Sequence, residues 1–168
     1  MKTKLYILLF FVSFGVYSQI LRSKEKEHFI ANAHFDWAKG NNNYGLDYVI
    51  EAGYSGVIDA VLGIEHFPAL YGGYFDVHGA IGKTFVSGNR DQLEWSGGLR
   101  LMVVWRDAGW RAQEGFEAKF MYAITDDLSG GLRATLDNRR DMEIYNWSRI
   151  WVGSAFITFQ YKIKLLKG

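Results

Sequence analysis

From His28 onward apolar side chains recur at every second position, and no window carries the i, i+3, i+4, i+7 spacing of an amphipathic helix over three turns. A period of two puts alternate side chains on opposite faces of an extended strand, so the pattern predicts an all-β chain. The first strand reads Phe29, Ala31, Ala33, Phe35, Trp37, and the second Tyr44, Leu46, Tyr48, Ile50, Ala52, Tyr54, with the turn-rich Lys39-Gly40-Asn41-Asn42-Asn43 between them. A third carries Ile58, Ala60, Leu62, Ile64, and a fourth Phe75, Val77, Gly79, Ile81, Phe85. The fifth has Trp95, Gly97, Leu99, Leu101, Val103, Trp105; the sixth has Phe116, Ala118, Phe120, Tyr122, Ile124. A weaker seventh has Gly130, Leu132, Ala134, Leu136, and the eighth runs Trp151, Gly153, Ala155, Ile157, Phe159, Tyr161, Ile163. Tyr44 to Phe67 is too long for one strand, which places a tight turn near Gly53–Gly56. Pro68, the one proline, falls in a connection, where it removes no ladder hydrogen bond.

The intervening positions hold Asn32, His34, Asp36, Asp47, Glu51, Asp59, Glu65, Asp76, His78, Arg100, Glu117, Lys119, Arg133, Thr158, Gln160 and Lys162. One face is apolar and the other ionisable. Alternation alone fits either a soluble barrel with the apolar face inward or a membrane barrel with that face outward. Three features favour lipid. Aromatics bracket the strands, as in Trp95/Trp105, Phe29/Trp37 and Trp151/Tyr161, where headgroup-level belts place them. The strands run about 9–13 residues, the span a tilted strand needs to cross hydrocarbon. The apolar rows carry only Lys83 and Glu114 as charges, both toward strand ends. There a cation costs about 0–1 kcal/mol, against about 2–4 at the midplane. Eight strands also let the sheet close, leaving no unpaired edge in lipid. The expected fold is a closed antiparallel eight-stranded up-and-down transmembrane barrel with a polar, filled interior.

Residues Met1 to Ser18 begin with Lys2 and Lys4, continue through the apolar run Leu5–Val16 and reach Val16-Tyr17-Ser18 before Gln19. This predicts a secretory signal peptide cleaved after Ser18; the polar Arg22-Ser23-Lys24-Glu25-Lys26-Glu27 follows too soon for a membrane-spanning helix. The expected division is 1–18 signal peptide, 19–27 short N-terminal segment and 28–168 barrel domain. With 12 Phe, 10 Tyr, 6 Trp and a formal charge of +1, the composition excludes disorder as the main state and offers no basic face for nucleic acid. The lack of cysteine excludes disulfides, thiolate zinc sites and a cysteine nucleophile.

Eight-stranded barrels leave an interior that side chains fill. His34, Asp36, Asp47, Glu51, Asp59, Asp76, His78, Arg100, Glu117, Lys119 and Arg133 are therefore expected as interlocked ion pairs in a plug, joined by Glu65, Glu94, Asp137, Arg111 and Lys162. Unpaired charge there is costly, and the excess of acids offers an alternative role in holding or leaking a cation. Asp76 and His78 share a face and could pair with Ser87 or Ser96, but no G-x-S-x-G turn exists and His28, His34, His66 and His78 lack metal-ligand spacing. No catalytic, cofactor or metal site is assigned. The outward connections are Ala38–Asn43, His66–Gly73, Arg106–Trp110 and Asp137–Ser148. In the last, Arg139, Arg140, Tyr145 and Trp147 are residue types that dominate binding hot spots and are candidates for contact with an extracellular protein, a glycan or anionic headgroups.

The signal peptide, the eight alternating segments, short turns at Gly53–Gly56 and Thr125–Leu128, and a terminal strand Arg149–Lys164 with Phe159 and Tyr161 together resemble a small outer-membrane β-barrel of the OmpA-like kind. The resemblance implies the outer membrane of a Gram-negative bacterium, contact with outer-membrane lipid, and insertion by the barrel-assembly machinery, which reads an aromatic C-terminal strand. This chain does not end on Phe but continues Ile163-Lys164-Leu165-Leu166-Lys167-Gly168. The expected role is structural or surface-interacting, without catalysis. The alternatives are a secreted soluble barrel holding a small apolar ligand among its Phe, Trp and Leu rows, and a lipid-modifying outer-membrane enzyme.

Overall fold

The computed structural model describes residues 22–23, 27–39, 44–70, 72–87 and 92–164. The expected signal peptide Met1–Ser18, the end Leu165–Gly168 and the side chain of Trp37 lie outside the described residues. Eight strands form the barrel: β1 His28–Lys39, β2 Tyr44–Ser55, β3 Asp59–His66, β4 Phe75–Ser87, β5 Leu93–Arg106, β6 Gly109–Ala123, β7 Leu128–Arg139 and β8 Ile150–Lys164. Each pairs antiparallel with its sequence neighbour, and β1 closes onto β8 from His28 opposite Lys164 to Phe35 opposite Ile157. The expected closed up-and-down barrel is the fold. We call the end holding Asp107–Ala108 and the 140–149 connection the upper end, and the end holding the Gly56–Ile58 and Ile124–Asp127 turns the lower.

Three boundaries differ from the sequence reading. The β2–β3 turn lies at Gly56–Ile58 rather than Gly53–Gly56, because the Asp59 carboxylate accepts from Ser55 Oγ at 2.6 Å and from the Gly56 amide at 3.3 Å and folds the chain there. Gly53 stays in the ladder opposite Val61. Only Asp107 and Ala108 separate β5 from β6, with Gly109 at φ +142°, a conformation open to glycine. Strand β7 runs on through Asp137, Asn138 and Arg139 against Val152, Trp151 and Ile150, so the last connection starts later than expected, with a 3-10 turn over Arg140–Tyr145. Strand β3 has only 8 residues, and the Arg22–Ser23 segment pairs with Val86 and Phe85 at the lower part of β4 that β3 does not reach.

Burial follows the alternation, with its usual sense reversed. Leu62 is 72% exposed and Leu101 70%, whereas Arg100 and Arg133 are both 0% exposed. The apolar rows face out and the ionisable rows fill the barrel. The soluble-pocket expectation puts the Phe, Trp and Leu rows inside, and the structure turns them outward. Outward rings pair across strands near both ends: Phe29 with Tyr54 and Trp95 with Phe120 below, Phe75 with Trp105 above. Apolar residues inside cluster at Ile30, Val61 and Ala80 toward the lower end, and at Phe67, Tyr74, Met102 and Val104 toward the upper.

Candidate functional site

Two charge networks occupy the lumen, one above the other. Glu51 of β2 is the hub of the lower one. Lys119 Nζ and Asn32 Nδ2 each donate to its carboxylate at 3.0 Å, and Arg133 lies 2.9 Å from it. His78 Nε2 is 3.2 Å from Glu51; His34 Nε2 is 3.0 Å away but not aligned for a hydrogen bond, its Nδ1 meeting Thr158 at 2.8 Å. Glu117 shares both cations, at 3.3 Å from Lys119 and 3.0 Å from Arg133. Arg133 also lies over the Phe156 ring. Two carboxylates thus meet one lysine and one arginine, which is the pairing that buried charge requires.

Gly63 makes this packing possible. A Cβ there would sit 2.6 Å from His78 Nε2 and 2.7 Å from Glu51 Cγ, so only a residue without a side chain lets them meet across the lumen. Below the hub, Asp59 binds Ser55 and Thr84, and Lys162 pairs with Glu94.

The upper network centres on Arg100 of β5. Its guanidinium reaches Glu65 at 3.2 Å and Asp137 at 3.2 Å, with Asp76 at 3.9 Å. Asp76 accepts from the Tyr74 hydroxyl at 3.0 Å and holds His78 Nδ1 at 2.6 Å. Both ring nitrogens of His78 are therefore engaged by carboxylates, and neither is left for a serine hydroxyl. Nearer the rim, Asp141 takes Arg106 at 2.9 Å and Arg139 at 2.7 Å, and both guanidiniums lie over the Tyr74 ring.

Most of the sequence-expected lumen set is brought together here: His34, Glu51, Glu117, Lys119 and Arg133 in one network, Asp76, His78 and Arg100 in the other. Asp59 caps a turn below them. Asp36 and Asp47 stand apart: they face each other across the β1–β2 ladder and make no ion pair among the described residues. Arg111, expected inside, is exposed at the rim and donates to the Trp110 carbonyl. Arg106 and Asp141 were not singled out by sequence reasoning. Extending the inward phase of Arg100, Met102 and Val104 by one step reaches Arg106; Asp141 sits in the 3-10 turn, where no period points to it.

The loop candidates divide. Arg139 is a strand residue directed at Asp141 and Tyr74, so it is an internal strut and not a loop contact. Arg140 is exposed on the outer side, where it and Arg149 converge on Glu114 at 3.1 and 3.0 Å while Asn138 donates to the same oxygen at 2.8 Å. The carboxylate found among the apolar rows is thus neutralised at the rim. Tyr145 donates to Asp107 and lies against Arg106 and Trp147, which ties the 3-10 turn to the β5–β6 hairpin. The Tyr145 phenol is held above its usual range, chiefly by burial and then by that bond to Asp107. Trp147 is exposed. Among the described residues no cluster of His and carboxylates has the arrangement to hold a metal ion.

No family model matches the chain, and no match is found among curated proteins.

Proposed function

We propose that this chain is a small outer-membrane β-barrel protein of OmpA-like build, exported by a signal peptide cleaved after Ser18, with a structural or surface-interaction role through its upper rim and no catalysis. The observation that carries the reading is the reversed burial. Among the described residues, 29 large apolar or aromatic side chains are exposed, around the whole outside of a barrel whose centre is ionic. A monomeric soluble protein rarely shows a contiguous apolar patch beyond a few hundred Å². Transferring these side chains to hydrocarbon, at about 1.5–3 kcal/mol for each one fully buried, favours the lipid environment by tens of kcal/mol. The outward aromatics near both ends are suited to the two headgroup levels.

The candidate interaction surface is Arg140, Tyr145 and Trp147, braced by Arg149, Glu114 and Asp107. Its partners by chemistry are anionic lipid headgroups, a glycan or an extracellular protein, and the barrel-assembly machinery is the partner during insertion. The test is to reconstitute the purified chain with a fluorescent label at Leu101→Cys or at Ser96→Cys, and to add lipid-borne and water-borne quenchers. The Leu101 label should respond to the lipid quencher and the folded barrel should show a heat-modifiable gel band. A chain that stays dissolved as a compact monomer in buffer without detergent overturns the reading.

A further inference from the structure

The upper half of the lumen is not completely filled. Between the Arg100 pairs and Phe67, Leu70 and Tyr74 lies a cavity of about 370 Å³, with Asp36, Asp47, Glu65, Asp137 and Arg139 on its polar wall and those three residues on its apolar one. The cations near it are already committed. Arg100 is shared by Glu65, Asp137 and Asp76, and Arg139 is taken by Asp141. Asp36 and Asp47 have no such partner among the described residues. They lie directly opposite on adjacent strands, the placement in which like charges repel, with Cβ atoms about 4.5–5.5 Å apart. Asp47 is 6% exposed, and its Oδ1 has no hydrogen-bond partner. Among the described residues the other carboxylates of the lumen core are hydrogen-bonded or ion-paired, so a facing pair without partners beside an open space points to a donor that is not part of the chain.

The geometry selects the donor. The carboxylates surround a space far larger than a metal ion, and they do not converge on a common point as oxygen ligands at 2.3–2.6 Å must. A primary ammonium has three N–H donors and one positive charge, enough to bridge two facing carboxylates, and an aromatic or short apolar body suits Phe67 and Tyr74. We propose that the upper lumen is a binding site for a small primary amine on a short apolar or aromatic body, with its ammonium held between Asp36 and Asp47. The site is independent of what surrounds the outside of the barrel.

The test uses the full folded chain in detergent micelles and para-fluorobenzylamine, followed by fluorine NMR, with para-fluorobenzyl alcohol as the neutral counterpart. The amine should bind saturably and the alcohol should not. Asp47→Asn should weaken binding at least 10-fold, and Asp36→Asn should do the same. Because Asp47 has no cation to lose, Asp47→Asn should also leave the thermal midpoint equal or raised, whereas a residue with only a structural role would lower it. Binding that is unchanged in both variants, equal binding of the alcohol, or no saturable binding tighter than about 10 mM overturns the proposal.

Discussion

Glu51→Gln is the sharpest perturbation of the lumen. In the native barrel the formal charges of Glu51, Glu117, Lys119 and Arg133 cancel, with four of the cross-contacts at 2.9–3.3 Å. The glutamine keeps the shape and one acceptor oxygen but leaves two cations facing one carboxylate in a site where Glu51 is 1% exposed. Removing one member of a buried ion pair costs about 3–5 kcal/mol. Glu117 still serves both cations, so the lower figure, about 3 kcal/mol, applies. With a urea dependence of about 1–3 kcal/mol per molar, the unfolding midpoint should fall by about 1–3 M. Unfolding of the protein in phospholipid vesicles, followed by tryptophan fluorescence and gel mobility, reads this directly. Restoring neutrality with Glu51→Gln/Lys119→Met should recover at least half of the loss. A single variant within about 0.5 kcal/mol of the native protein, or a double variant no better than the single, would refute the idea that charge balance holds the plug together.

Gly115 lies where a Cβ would stand 2.0 Å from Asp137 Oδ1, so Gly115→Ala should push Asp137 off Arg100 and cost about 1–3 kcal/mol. Gly97→Ala, whose nearest neighbour is 3.8 Å away, should be close to neutral in the same urea titration, and equal losses would remove the steric argument. The Tyr145 phenol is favoured over its phenolate in the folded protein, so its bond to Asp107 is present below the ordinary phenol value of about 10 and is lost as pH rises through the raised one. The Trp147 contribution to fluorescence, read against a Trp147→Phe reference, should change over that alkaline range and be flat in Tyr145→Phe; a native protein flat throughout would show that the hydroxyl does not hold the turn.

The strands and their two faces were legible because alternation encodes sidedness residue by residue: that Leu99 and Leu101 share one face and Arg100 the other follows from parity alone, and the aromatic ends and near-absence of charge on the apolar rows chose which face is outside. The pairing of charges was not legible. Glu51 on β2 meets Lys119 on β6 across the lumen, and that meeting depends on the offsets between strands accumulated around the closed sheet, which no local pattern records. In the sequence Arg139 reads as loop because Asp137-Asn138-Arg139-Arg140-Asp141 has no apolar alternation; the ladder continues there because Arg100 and Asp141 satisfy the inward charges. Gly63 and Gly115 give no signal in a single sequence, since a glycine that clears space for an ion pair reads the same as one that lets a sheet curl.

The wall of this barrel is uneven in height. Strand β3 has 8 residues and β6 has 15. At about 3.3 Å per residue and a tilt of about 40°, these correspond to vertical extents of about 20 and 38 Å. An outward apolar band normally stands about 25 Å tall, so if the barrel sits in a bilayer as proposed, the bilayer would have to pinch on the β3 flank and relax toward β6. That gradient in thickness would collect short-chain lipids, or a neighbouring protein able to share the thinned edge, beside Leu62 and Ile64 rather than evenly around the circumference.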